Sequence, residues 1–151
     1  MSGIISDNLG RATGLLKAAG GGKILQMVHA TDTTGDRSHG SDSWSQSSNG
    51  LDCAITPSAT SSKIIITGSI SMKGNGDYAC TYYRDTTNLG HADNGFGRLK
   101  EWTHFSAVVV DEPSSTSEIV YKFYFRANDA ATTYMNYSGS IGRLIVLEIG
   151  A

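Results

Sequence analysis

The chain has 151 residues, 39% hydrophobic and only 17% charged, with 18 glycines against two prolines and a net charge of -2. That size suits one domain with a sizeable core, and so little charge leaves Ser, Thr, Asn and Gly to cover the surface, which suits strands and turns better than helices. The near-neutral balance, with no Lys/Arg run, argues against nucleic acid as a partner, and the lack of any apolar run near about 18 residues argues against membrane insertion.

Residues 1–22 differ in character from the rest of the chain. They lack the basic region and apolar stretch of a secretory signal, so synthesis in a cytoplasm is expected. Asp7 can cap a helix over residues 8–18, which Gly10 and Gly14 weaken by about 1 kcal/mol each. Gly20, Gly21 and Gly22 then interrupt any regular structure. The segment reads as an extended or partly helical anchoring arm. Its apolar residues Ile4, Ile5, Leu9, Leu15 and Leu16 suit ordering on a partner.

Residues 23–151 read as a single β domain. Residues 23–30 form a strand that includes His29. A polar loop comes next, over 31–50, carrying Asp32, Asp36, His39, Asp42 and Trp44. Its acidic spacing matches no calcium loop, so no metal is expected. Residues 51–56 form a short strand with Leu51, Cys53 and Ile55 in phase. The run 64–73 dominates the chain. Ile64, Ile66, Gly68, Ile70 and Met72 alternate with Ile65, Thr67, Ser69, Ser71 and Lys73, the period of a half-buried strand. Residues 78–85 alternate again, with Tyr78, Cys80 and Tyr82 on one face. Asn75-Gly76 between these two runs predicts a hairpin. Residues 86–97 read as a short strand and a loop containing His91. Strands are expected over 102–110, 119–127, 132–138 and 143–149, with turns at 111–117, 128–129 and 139–142. About eight or nine strands without a body helix predict an all-β fold, an antiparallel β-sandwich or jelly roll.

Chemistry is hard to find. No phosphate-cradling loop, zinc spacing or nucleophile elbow is present, and Gly20-Gly-Gly-Lys23 precedes a strand rather than a helix. Asp111, Glu112 and Glu118 are carboxylates on a turn and read as solvated. Neither a catalytic group nor a cofactor is expected. Cys53 and Cys80 read as buried free thiols. The aromatic residues are better functional candidates, because Tyr and Trp bring contact area at low entropic cost. Trp44, Tyr83, His91, Trp102 and Tyr137 form the candidate recognition surface.

Several motifs carry a resemblance. Gly22-Lys-Ile-Leu-Gln-Met-Val28, residues 55–66, Tyr83-Arg-Asp85 leading to Leu89-Gly90, Asp111-Glu-Pro113 and Leu144-Ile-Val-Leu-Glu-Ile149 look like a β-rich domain of bacteriophage virion proteins, of the marine and freshwater phage type. Ser6-Asp-Asn-Leu-Gly-Arg11 resembles the start of such proteins. The likeness spans residues 22–151 and rests on strands and turns. It implies a virion structural protein that is a homotrimer, held to other virion proteins by its arm. A tail-fibre or spike role would attach the virion to a host-surface glycan or protein. A capsid decoration role would stabilise the head. The Ser/Thr/Tyr-rich loops favour the fibre; the missing shaft repeat counts against it. A carbohydrate-active enzyme is the remote alternative.

Overall fold

The structure, a computed structural model, describes residues 22–46, 49–129 and 131–150. Most of the expected arm, with Ile4, Ile5, Leu9, Leu15 and Leu16, lies outside the described residues. In chain order the strands are β1 (Ile24–Asp32), β2 (Arg37–His39), β3 (Ser45–Gln46), β4 (Asp52–Ile55), β5 (Lys63–Gly74) and β6 (Tyr78–Arg84). Then come β7 (Thr87–Asn88), β8 (Arg98–Leu99), β9 (Trp102–Asp111), β10 (Ile119–Ala127), β11 (Thr133–Met135) and β12 (Gly142–Ile149). Short strands share lines: β3 with β4 beside β10, β7 with β8 beside β6, and β11 with β12 beside β5.

Among the described residues these twelve strands make two antiparallel sheets. The first runs β1-β12-β5-β9, with β11 and β2 extending it at one end. The second runs β3/β4-β10-β6-β7/β8. Numbering the main lines in chain order, the sheets read 1-8-3-6 and 2-7-4-5. That order is the double Greek key of a jelly roll. The expected all-β jelly roll is therefore what forms. The strand count exceeds the eight or nine expected because loop 31–50 contributes β2 and β3 and residues 86–100 contribute two short strands, β7 and β8, where one was expected.

Alternation builds the core. Ile64, Ile66, Ile70 and Met72 of β5 and Leu144 and Val146 of β12 face inward from the first sheet. Tyr78 and Tyr82 of β6 and Tyr121, Phe123 and Phe125 of β10 meet them from the second. An aliphatic face thus packs on an aromatic one. Gly68 leaves a notch in the aliphatic face that Tyr82 fills: a Cβ there would lie 2.7 Å from the Tyr82 hydroxyl, which donates to the Ala107 carbonyl at 3.1 Å. At one end Arg84 reaches both oxygens of Asp111 at 2.9 and 3.0 Å, and Tyr121 donates to the same carboxylate at 2.7 Å, tying the sheets together. Cys53 and Cys80 are buried free thiols, and burial pushes the Cys53 thiol up to about 11.

Three expectations need correction. Asp111, read as solvated on a turn, instead ends β9 with its side chain 11% exposed and held by Arg84 and Tyr121. The Asn75-Gly76 hairpin does not form, because β5 and β6 belong to different sheets. Neither residue takes a positive φ. Instead Gly74 N donates to Glu101 O and Asn75 N to Thr132 O, both at 3.0 Å, so the backbone turns a corner between sheets. The strand expected over 132–138 stops at Met135. Buried Asn136 has φ 53°, and its amide donates to the Asp32 and Thr34 carbonyls at 3.2 and 3.4 Å. A 3-10 turn, Tyr137–Gly139, comes after it.

Candidate recognition surface

The five candidate residues fall at two places. Trp44, Tyr83 and His91 belong to the side of the second sheet. Trp44 is half-buried, and its indole N–H donates to the Ala92 carbonyl at 2.6 Å. The Arg126 guanidinium lies 5.6 Å from its ring. Loops 31–50 and 86–100 therefore meet through Trp44, which clips one to the other. Gly95 makes this approach possible: φ is +53°, and a Cβ would lie 2.9 Å from the indole. His91 is exposed, but its Nδ1 accepts from the Asp93 and Asn94 backbone N–H groups and so serves the turn. Tyr83 stacks on Tyr124 at 4.0 Å. All three side chains are engaged in packing or turn geometry.

Trp102 and Tyr137 come together on the outer face of the first sheet. Their ring centroids are 5.0 Å apart in an edge-to-face arrangement, although 35 residues separate them in sequence. Trp102 is 63% exposed at the start of β9. Tyr137 also packs edge-on against Tyr134, 5.4 Å away. The Lys73 ammonium lies 4.2 Å from the Tyr137 ring centroid and 5.9 Å from that of Tyr134. It donates to the Tyr137 hydroxyl at 3.0 Å. Register explains the assembly, since Tyr134, Lys73 and Trp102 stand opposite one another on β11, β5 and β9. Sequence reading missed Lys73 and counted Tyr134 among the aromatic candidates without placing it in the recognition surface. The outward phase of Lys73 was visible in the alternation, but its neighbours across the sheet were not.

The same outer face carries an apolar band at its other end. Met27, Leu147, Ile65 and Val110 align across β1, β12, β5 and β9, and in the next row Ile145 and Val108 flank Thr67, with His29 beside Ile145. Met27, Val108 and Val110 are 59%, 70% and 57% exposed. Such a row on the outside of a sandwich has no counterpart in its own core.

A carboxylate closes the corresponding end of the interior. Glu148 is fully buried on β12. Its Oε1 accepts from Ser58 N, Ser58 Oγ and Ser62 Oγ at 2.6–2.7 Å, and its Oε2 from Gln26 Nε2 at 2.6 Å. Burial raises its pKa, but these hydrogen bonds outweigh burial and bring it down to about 2. Four donors holding one anion fasten loop 56–62 to the sheet. Among the described residues no group of three or more His, Cys, Asp or Glu side chains is placed to hold a metal ion.

The molecule is thus a two-sheet jelly roll with an apolar band and an aromatic–lysine cluster on one outer face. No family model and no curated protein matches the sequence. Solved structures with partial likeness include an insecticidal delta-endotoxin from Bacillus thuringiensis, at 12% identity and a TM-score of 0.44 over 76% of this chain and 20% of that one. A structure of infectious bursal disease virus, Gx strain, gives 16% and 0.46 over 85% of this chain and 33% of that one. The coat protein of Tobacco streak virus gives 12% and 0.35 over 84% and 88%. The chain spans a fifth of the toxin chain and a third of the bursal disease virus chain. Likeness this distant carries no function, and the fold assignment rests on the strand order itself.

Proposed function

We propose that the chain is a structural subunit of a bacteriophage particle, a tail-fibre or spike component that attaches the particle to a host surface and performs no chemistry. The apolar band across β1, β12, β5 and β9 carries this reading. Contiguous exposed apolar surface on a folded domain marks a place for another protein. The closed core needs no partner to bury it, which leaves the outer face for assembly. A second copy of this chain is the occupant. The virion-protein resemblance implies a homotrimer, with residues 1–22 joining it to other virion proteins.

Sedimentation equilibrium of the full chain tests the assembly. The expected mass is about three times the 16.0 kDa of one chain. Val108→Lys combined with Val110→Lys should give a monomer with an unchanged circular dichroism spectrum. A monomeric wild type overturns assembly through this face. Immunogold labelling of virions with antibody against residues 22–151 tests location. Label at the tail end supports attachment, label over the head replaces it with capsid decoration, and unlabelled particles overturn the virion reading.

A further inference from the structure

We propose that Trp102, Tyr134, Tyr137 and Lys73 bind a carboxylated sugar residue of a glycan. The inference rests on the attachment role and names the ligand class of that surface. Trp102 offers the apolar component. With 63% of its surface exposed, the indole presents a wide, rigid, apolar area that suits the C–H face of a sugar ring. Orientation then needs a few placed polar groups. The Tyr137 hydroxyl and the Lys73 ammonium supply them, 3.0 Å apart.

Charge selects the kind of sugar. Arg37, Lys63, Arg84, Arg98, Lys100 and Arg126 each reach a carboxylate of this chain. Among the described residues Lys73, like Lys23, Lys122 and Arg143, does not; what sets it apart is that its ammonium rests over two tyrosine rings beside the exposed indole. Cation–π contacts hold an ammonium in place without neutralising it. An ammonium carries three N–H donors, so donors remain after the bond to Tyr137. An incoming carboxylate would complete a charge-assisted hydrogen bond, stronger than any a neutral hydroxyl makes there. Asn136, buried and fixed in a left-handed conformation, sets the turn that brings Tyr137 over Lys73.

The site is separate from the assembly band. The nearer row of the band, with Val108 opposite Thr67, stands six residues from Lys73 along β5, about 20 Å at the usual rise. A subunit seated on the band therefore leaves the aromatic end open.

The test titrates the full chain with galacturonic acid hexamer, its methyl ester and sialyllactose, following tryptophan fluorescence and calorimetry. At least one acidic sugar should bind saturably and shift the emission. If it is the hexamer, the ester should bind at least about tenfold more weakly, the size of one charge-assisted hydrogen bond. Lys73→Met, which keeps the aliphatic stem, should lower acid-sugar affinity by a similar factor. Trp102→Phe should abolish the fluorescence shift while Trp44 still emits. Should Trp102→Phe unfold, the ester comparison and Lys73→Met decide alone. The proposal is overturned if neither acidic sugar binds, if the hexamer and its ester bind equally, or if Lys73→Met binds like the wild type. Any of these results from a trimer that labels virion tails removes the ligand assignment and leaves attachment standing. A monomer absent from particles removes the attachment reading itself.

Discussion

Glu148 occupies a position where the alternation of its strand, after Leu144 and Val146, calls for an apolar side chain. An ionised carboxylate without water is costly unless every lone pair is used. Here three donors converge on one oxygen and a fourth on the other. The ordinary pKa of 4.5 falls to about 2 in the fold. As pH drops, the unfolded chain takes up this proton first. The stability supplied by the carboxylate is therefore complete above pH 4.5 and lost between 4.5 and 2. Glu148→Gln should cost about 2 kcal/mol at neutral pH, since hydrogen bonds to a charged group are broken. That corresponds to a fall in Tm of roughly 5 °C. Thermal melts of both proteins should show this gap narrowing from pH 4.5 to 2. A gap that stays constant over that interval refutes the assignment.

Between elements, the fit of the two sheets depends on Tyr82 entering the space that Gly68 leaves. Gly68→Ala places a methyl group 2.7 Å from the Tyr82 hydroxyl, and overpacking of this kind costs about 1–3 kcal/mol. Tyr82→Phe alone should cost about 1 kcal/mol by leaving the Ala107 carbonyl without its donor. Together the two changes relieve the clash, so the double variant should be more stable in urea than the sum predicts. Strict additivity would show that the notch does not govern the packing. The alternation made both residues legible as inward-facing, and it likewise marked the inward face of nearly every strand. What it could not supply was partnership between strands. Asn75-Gly76 has the local chemistry of a hairpin, yet bonds to Glu101 and Thr132 direct the chain into the other sheet. Lys73 and Trp102 were each visible as outward residues, but only register places them side by side. Phase is encoded locally and is readable, whereas register depends on contacts between residues far apart in sequence.

At the scale of the whole molecule, the two termini of the body contribute very differently. β12 lies between β1 and β5, and it supplies Leu144 and Val146 to the core. Removing residues 142–151 would strip both neighbours of a partner and expose the aliphatic face, so that truncation should abolish cooperative unfolding. The other end is another matter. Every residue of the described core lies between Val28 and Val146. The body is already closed at Lys23, whose carbonyl accepts from the Gly150 N–H at 2.9 Å. Deleting residues 2–21 should therefore leave the far-UV spectrum unchanged and Tm within a few degrees. If those residues are the anchor, the same deletion should eliminate incorporation into particles, measured by immunoblot of purified virions. Folded protein missing from the virions supports a body that folds alone and a separate attachment segment. Wild-type incorporation of the truncated chain would move attachment to the body, with the apolar band of the first sheet as the next surface to mutate.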